Sequence, residues 1–322
     1  MDFAFTAEQR AMAGTVRDIV AATPDTAEPW AAITGIGLPG LLVPEELGGL
    51  GLGMVEGIAA VEELGRRATR FPWVAAVITG PLLATAVPEL LPDVLTGAHR
   101  LGCAHAGLVL DADLVSSVLV VDGHRLGVVP AAAAAPFARR DLLGRPRWWT
   151  VSATAWTDLP AGTAVDALAC ARTATAAYLI GTGAAALALA VEHARTREQF
   201  GVAIGSFQAV KHQLADAHTA LAMARPLVAG AAVARDTGIG SAGRDACVAV
   251  LAAGAAAERA ARVALQVHGA IGYTDECAVG ALLAQVLVAA PAWGSESALR
   301  DELARAMATE GRLVPVGGAG RD

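Results

Sequence analysis

ARTREQFGVAIGSFQAVKHQLAD, residues 194–216, is helical in its apolar spacing yet carries a polar Arg-x-Gln-Phe-Gly step that a packed helix does not need. QVHGAIGYTDE, residues 266–276, repeats the pattern some seventy residues later. Two helices that each stop at a glycine beside polar donors suit an anionic, ring-bearing ligand better than they suit a plain core.

Outward from these stretches, residues 163–310 read as long helical segments with breaks near Pro226, at Gly238–Gly240 and at Gly269–Gly272, the pattern of a four-helix antiparallel bundle. Residues 101–162 change texture. LVSSVLVVDGHRLGVVP (114–130) holds β-branched runs about a hairpin signal at Asp122-Gly123, and WWTVSATAW (148–156) follows in the same style. This predicts a small β domain of four to six strands, with the run from Ala131 to Ala135 and Pro136 as a loop. Residues 1–100 are helical again. Thr6 with Glu8 close behind predicts a capped helix over 6–22, and a short helix over 30–36 is ended by Gly37. A Gly/Pro loop precedes an amphipathic helix over 54–67, and one or two helices follow within 72–95. Residues 311–322 read as a flexible tail. The fold class is mainly α with a small β domain.

Composition excludes several function classes. With 322 residues, 55% hydrophobic and 17% charged, the chain has ample core. The stretch from Ala174 to Ala190 runs straight into Glu192, His193, Arg195 and Arg197, so it reads as a close-packed buried helix rather than a membrane span. A net charge of -7 offers no general attraction to nucleic acid or an anionic membrane. The start, MDFAFTAEQRAMAGTV, lacks a basic segment followed by an apolar run, and a cytoplasmic location is expected. Cys103, Cys170, Cys247 and Cys277 are too scattered for a zinc site or disulfide frame. His212 and His218, six apart on a helix, point to different faces, and no metal site is expected.

Helices, then strands, then a bundle, with DFAFTAEQR, VPEELGGLGLG and VEELGRR near the start and the two quoted stretches in place, resemble the acyl-CoA dehydrogenase family of FAD-dependent flavoproteins. The resemblance spans nearly the whole chain. It implies an N-terminal helical domain, a reduced β domain and a C-terminal four-helix bundle. It assigns Arg197, Gln199 and Phe200, with Phe207 and Gln208 behind them, to the pyrophosphate and adenine of FAD. A guanidinium matches phosphate oxygens and an aromatic face covers a flat ring; the alternative is that Arg197 pairs with Glu192 or Glu198. Gln266, Gly269 and Gly272 resemble a QxxGGxG segment that in the family reaches the FAD of a neighbouring subunit, although Ala270 replaces the second glycine. The other half of the flavin clamp is therefore expected on another chain.

By the same resemblance Glu276 is the expected catalytic base, removing the substrate's α-proton while hydride leaves the β-carbon, and the adjacent Asp275 is set aside on register. The alternative base position matches Ala171. Arg172, beside it, matches an arginine that lies near the base, or is a surface charge. Gly294 and Ser295, in GSES, resemble a turn near the flavin. Three features depart from the family pattern: the flavin-ring motif TEPxAGSD is missing, the β domain looks shortened, and the usual Arg-Asp pair reads Ala284-Gln285.

The implied reaction is α,β-dehydrogenation of an acyl-CoA thioester to the trans-2-enoyl-CoA, with electrons passing to an electron-transferring flavoprotein. The implied assembly is a homo- or heterotetramer with a second acyl-CoA dehydrogenase chain. The alternative is a non-catalytic subunit that completes the flavin site of such a partner.

Overall fold

The computed structural model describes residues 5–23, 29–67, 69–138, 140–274 and 276–309; the expected tail at 311–322 and Asp275 lie outside the described residues. The first helix, α1 (Ala7–Ala22), starts as predicted. The Thr6 hydroxyl accepts from the Gln9 amide at 3.2 Å while the Thr6 amide donates to Gln9 Oε1 at 2.9 Å, a complete capping box. After α2 (Trp30–Gly35) and a left-handed Gly37 come α3 (Met54–Gly65), a π turn over Ala75–Thr79, α4 (Gly80–Ala84) and α5 (Leu91–Leu95).

The β part is a single seven-stranded sheet, more strands than the four to six expected. Its strands are β1 (Leu101–His105), β2 (Leu108–Leu110), β3 (Ser117–Asp122), β4 (Arg125–Pro130), β5 (Ala135–Pro136), β6 (Trp148–Thr150) and β7 (Thr157–Asp158), in the order β5-β6-β2-β1-β3-β4-β7. Only β1 and β3 pair in parallel. The expected hairpin is β3–β4. The stretch expected as a loop, 131–136, instead makes a 3-10 turn and then β5, an edge position where Pro136 costs no ladder bond.

The helical half consists of α6 (Thr163–Thr196), α7 (Gln208–Asp236), α8 (Ala242–His268), α9 (Ala278–Ala289) and α10 (Glu296–Thr309). Pro226 does not break the chain as the sequence suggested: it sits on the exposed side of a continuous α7, where water can serve the carbonyl its missing N–H leaves open. Arg235 near the end of α7 bonds Asp166 at the start of α6, so those two helices are antiparallel. Contacts from Arg172 to Cys247 and from His193 to His268 make α6 and α8 parallel.

Helix α6 is the centre of the molecule, and its apolar stretch is covered by α3, α7 and α8. Small residues let the backbones touch. A Cβ added to Gly181 would lie 1.9 Å from the Glu62 carbonyl oxygen, and one on Gly65 would lie 2.1 Å from that of Tyr178. Thr182 Oγ1 donates across this contact to the Gly65 carbonyl at 2.9 Å. The sheet is tied to the helices by a buried polar knot: Arg147 donates to both oxygens of Asp111 at 2.6 and 2.8 Å and to Gln285 Oε1 at 2.7 Å, and Gln285 Nε2 reaches Tyr178 Oη at 3.1 Å. Every charge in it is paired, which is what burial of an ion pair demands.

This packing sets a test by urea unfolding. Gly181→Ala forces α3 and α6 apart and is expected to cost about 2 kcal/mol or more. Gly254→Ala, whose Cβ would meet only Ala290 Cβ at 3.5 Å, is expected to be neutral or to stabilise by up to about 1 kcal/mol.

Candidate functional site

At the C-terminal end of α6 the chain leaves the helix at Arg197, whose backbone N–H still bonds the His193 carbonyl. It turns at once into a hairpin, β8 (Glu198–Gln199) and β9 (Val202–Ala203). The two central residues, Phe200 and Gly201, both have positive φ, +54° and +79°, as a type I′ turn requires. For glycine this is free. For phenylalanine the left-handed conformation costs about 1–2 kcal/mol, and no burial offsets it, because Phe200 is 93% exposed. Its one ring contact is edge-to-face with the exposed Phe207 at 6.2 Å. Gln208 opens α7 beside them. The Arg197 guanidinium, exposed, pairs with neither Glu192 nor Glu198, nor with any other described residue, so the surface-pair alternative does not hold.

The second stretch lies at this same end. Helix α8 stops at Gly269, held at φ +64°, ψ −138°, a conformation essentially closed to other residues. Gln266 is exposed and Gly272 is buried in the following turn. The His193 and His268 rings stack at 4.3 Å and join the two helix ends. Arg197, Gln199, Phe200, Phe207 and Gln208 thus lie at the same end of the chain as Gln266, Gly269 and Gly272.

Arg172, Gly294 and Ser295 are elsewhere. Arg172 is buried near the start of α6, not a surface charge, and donates to both oxygens of Glu302 at 2.7 and 2.8 Å, to Cys247 Sγ at 3.0 Å and to the Trp293 carbonyl at 3.3 Å. Trp293 is buried, with its indole N–H on Thr175 Oγ1 at 2.9 Å. A cavity of about 370 Å³ adjoins them, lined also by Thr79 and His105. Gly294 and Ser295 line a second one, about 440 Å³, with Trp148 and again His105. Ser295 Oγ caps α10 by accepting from the Ala298 amide. Hydrogen bonds from Arg172 hold the Glu302 carboxyl below the usual range, while desolvation and then the Arg172 charge hold His105 below its own.

Glu276 does not join Arg172. It is exposed in the turn after α8, whereas Arg172 touches Cys247 near the start of α8, so nearly the whole helix, about 30 Å at the α-helical rise, separates their surroundings. Trp293, Glu302, His105 and Trp148 were not singled out from sequence. Trp293 immediately precedes the noted GSES turn, but Glu302 meets Arg172 across 130 residues and carries no local signal.

Residues 6–95 match the family profile "Acyl-CoA dehydrogenase, N-terminal domain", and residues 161–308 match "Acyl-CoA dehydrogenase, C-terminal domain". The acyl-CoA dehydrogenase IpdE2 of Mycobacterium tuberculosis is 35% identical over 256 residues, covering 75% of this chain and 74% of the relative. The fold is similar to that in the ChsE4-ChsE5 complex from Mycobacterium tuberculosis, with TM-score 0.80 and 24% identity, covering 96% of this chain and 99% of that one. It is also similar to the Tcur3481-Tcur3483 steroid ACAD, with TM-score 0.79 and 24% identity over 94% of this chain and 98% of that one.

Two outcomes are expected at the two ends. Phe200→Gly relieves the left-handed strain and is expected to raise stability by about 1 kcal/mol in urea unfolding; a loss would mean that Phe200 packs on something. Glu302 contributes stability above the ordinary glutamate pKa and loses it as pH falls through its lowered value. Thermal melts from about pH 7 to about pH 3 are therefore expected to fall less steeply in Glu302→Gln than in the wild type.

Proposed function

The chain belongs to the acyl-CoA dehydrogenase family, and we propose that it works there as one subunit of an FAD-dependent enzyme assembled from two kinds of chain. The edge from Arg197 to Gln208, with Gln266, Gly269 and Gly272, takes the diphosphate and adenine of an FAD whose ring rests on the partner. The residues fit that part of the cofactor: an unpaired guanidinium for phosphate, an exposed aromatic face for adenine, and an open glycine turn for close backbone approach. Gly294, Ser295 and Trp148 would flank a flavin ring at the other end of this chain.

The carrying observation is the state of the one carboxylate, among the described residues, that lines the Arg172 cavity. Glu302 is held on both oxygens by Arg172, and Trp293 fills the turn beside it. A carboxylate locked in that way is a weak base for a carbon-bound α-proton. Glu276, the base expected from sequence, is exposed at the opposite end. The base that starts the dehydrogenation of the acyl-CoA thioester is therefore supplied by the partner. FAD, when bound, supplies the hydride acceptor, and an electron-transferring flavoprotein is the proposed onward acceptor. The similarity to a named two-chain complex, ChsE4-ChsE5, supports the same reading.

Expression with a second acyl-CoA dehydrogenase chain from the same genome tests it. The pair is expected to purify yellow and to bleach on addition of acyl-CoA, the single chain to do neither, and Arg197→Ala in this chain to lower the flavin affinity of the pair by about tenfold or more. A single chain that bleaches, and loses bleaching in Glu276→Gln, overturns the proposal and restores Glu276 as its own base.

A further inference from the structure

Helix ends of both signs meet at the proposed diphosphate edge: α6 and α8 end there, at Thr196 and His268, and α7 begins there, at Gln208. Each helix C-terminus carries the equivalent of about half a negative charge and each N-terminus about half a positive one. The start of α7 offsets one of the two ends, and the free Arg197 guanidinium outweighs the other by only about half a charge, too little for a doubly charged diphosphate.

The stacked imidazoles are placed to make up the difference. His193 lies one helical turn before Arg197 on α6, and His268 is the last residue of α8, one step before Gly269. His268 Nδ1 lies 2.8 Å from the Ala264 carbonyl oxygen, an acceptor, so Nδ1 carries the proton and Nε2 is left to receive one. Of the charged groups at this end, Arg197 acts on His193 from α6. Arg195 of α6, Glu198 of the hairpin, Lys211 and His212 in the first turns of α7, and Tyr273 and Glu276 after α8 are further charged or titratable residues of this end. Among the described residues no carboxylate lies within ion-pairing distance of either ring. The two rings stack with no acid against them, and desolvation first, then His268 and Arg197, hold His193 below the usual histidine range. An arriving dianion reverses that balance.

Resting on the diphosphate reading above, we propose that the His193–His268 pair is a proton-coupled part of the site, taking up a proton as the diphosphate of FAD docks beside Arg197. The protonated pair is the tighter binder, so affinity rises as pH falls into the imidazole range. A proton whose pKa moves by about one unit on binding gives a gain of about tenfold between about pH 8 and about pH 6.

Calorimetric titration of FAD, whose diphosphate stays doubly charged over this interval, into the co-expressed complex or the single chain tests the coupling without turnover, and ADP, whose terminal phosphate titrates itself, serves only to probe occupancy of the site. The wild type is expected to gain about tenfold over that interval and to show a binding enthalpy that changes with the ionisation enthalpy of the buffer, the signature of proton uptake. His193→Gln with His268→Gln is expected to lose both the gain and the buffer dependence, whereas Arg197→Ala weakens binding at every pH. The wild-type buffer experiment stands even where the double variant folds poorly. Binding that is independent of pH and buffer overturns the proton coupling and leaves the diphosphate site in place. Failure of both FAD and ADP to bind at any pH overturns the site and the coupling together.

Discussion

Contact between backbones along α6 is the constraint on which the rest of the structure depends. Glycine at 65 and 181, a threonine bridge at 182 and a long run of alanines bring α3 and α8 against one continuous helix of 34 residues. Such packing gains little per side chain, since alanine buries little area, but it leaves few voids and little freedom to bend. The helix therefore acts as a rigid spacer. Arg172 and Arg197 are about 37 Å apart along it at the α-helical rise, longer than an extended flavin dinucleotide. On the proposed reading, no single FAD would meet both ends of one chain, and assembly would be part of the site.

The two ends differ in electrostatic state. Around Arg172 every strong charge is spent: Glu302 takes both arms of the guanidinium, Trp293 and Cys247 take the rest, and the neighbouring knot of Arg147, Asp111, Gln285 and Tyr178 is likewise satisfied. At the other end Arg197 is free, Phe200 stands in solvent with a strained backbone, and two histidines stack without an acid. On the proposed reading, the strain and unpaired charge of the open end serve the diphosphate and adenine, while the paired charges of the other end hold the chain together beside the cavities that would flank a flavin ring.

Much of this was legible before any coordinates. Helix periodicity, the Thr6 cap, the Asp122-Gly123 hairpin and the Gly37 stop are local signals, and the structure has each of them. The motif ARTREQFG located the open end because its chemistry is contiguous in sequence. What could not be read was long-range. Glu302 reaches Arg172 across 130 residues, and Gln285 joins Arg147 across 138. Pro226 was read as a break because the exposed side of α7, which tolerates it, is defined only once α7 is packed. Glu276 was placed beside Arg172 by motif alone, and only the parallel run of α6 and α8 reveals that they belong to opposite ends.

The most direct measurement of the central claim is flavin content resolved by assembly state, by native mass spectrometry of the protein purified with its partner. If the two ends of α6 serve different flavins, FAD is found only in species of two or more chains, and dissociation into monomers releases it. A monomer of this chain carrying FAD would contradict the account.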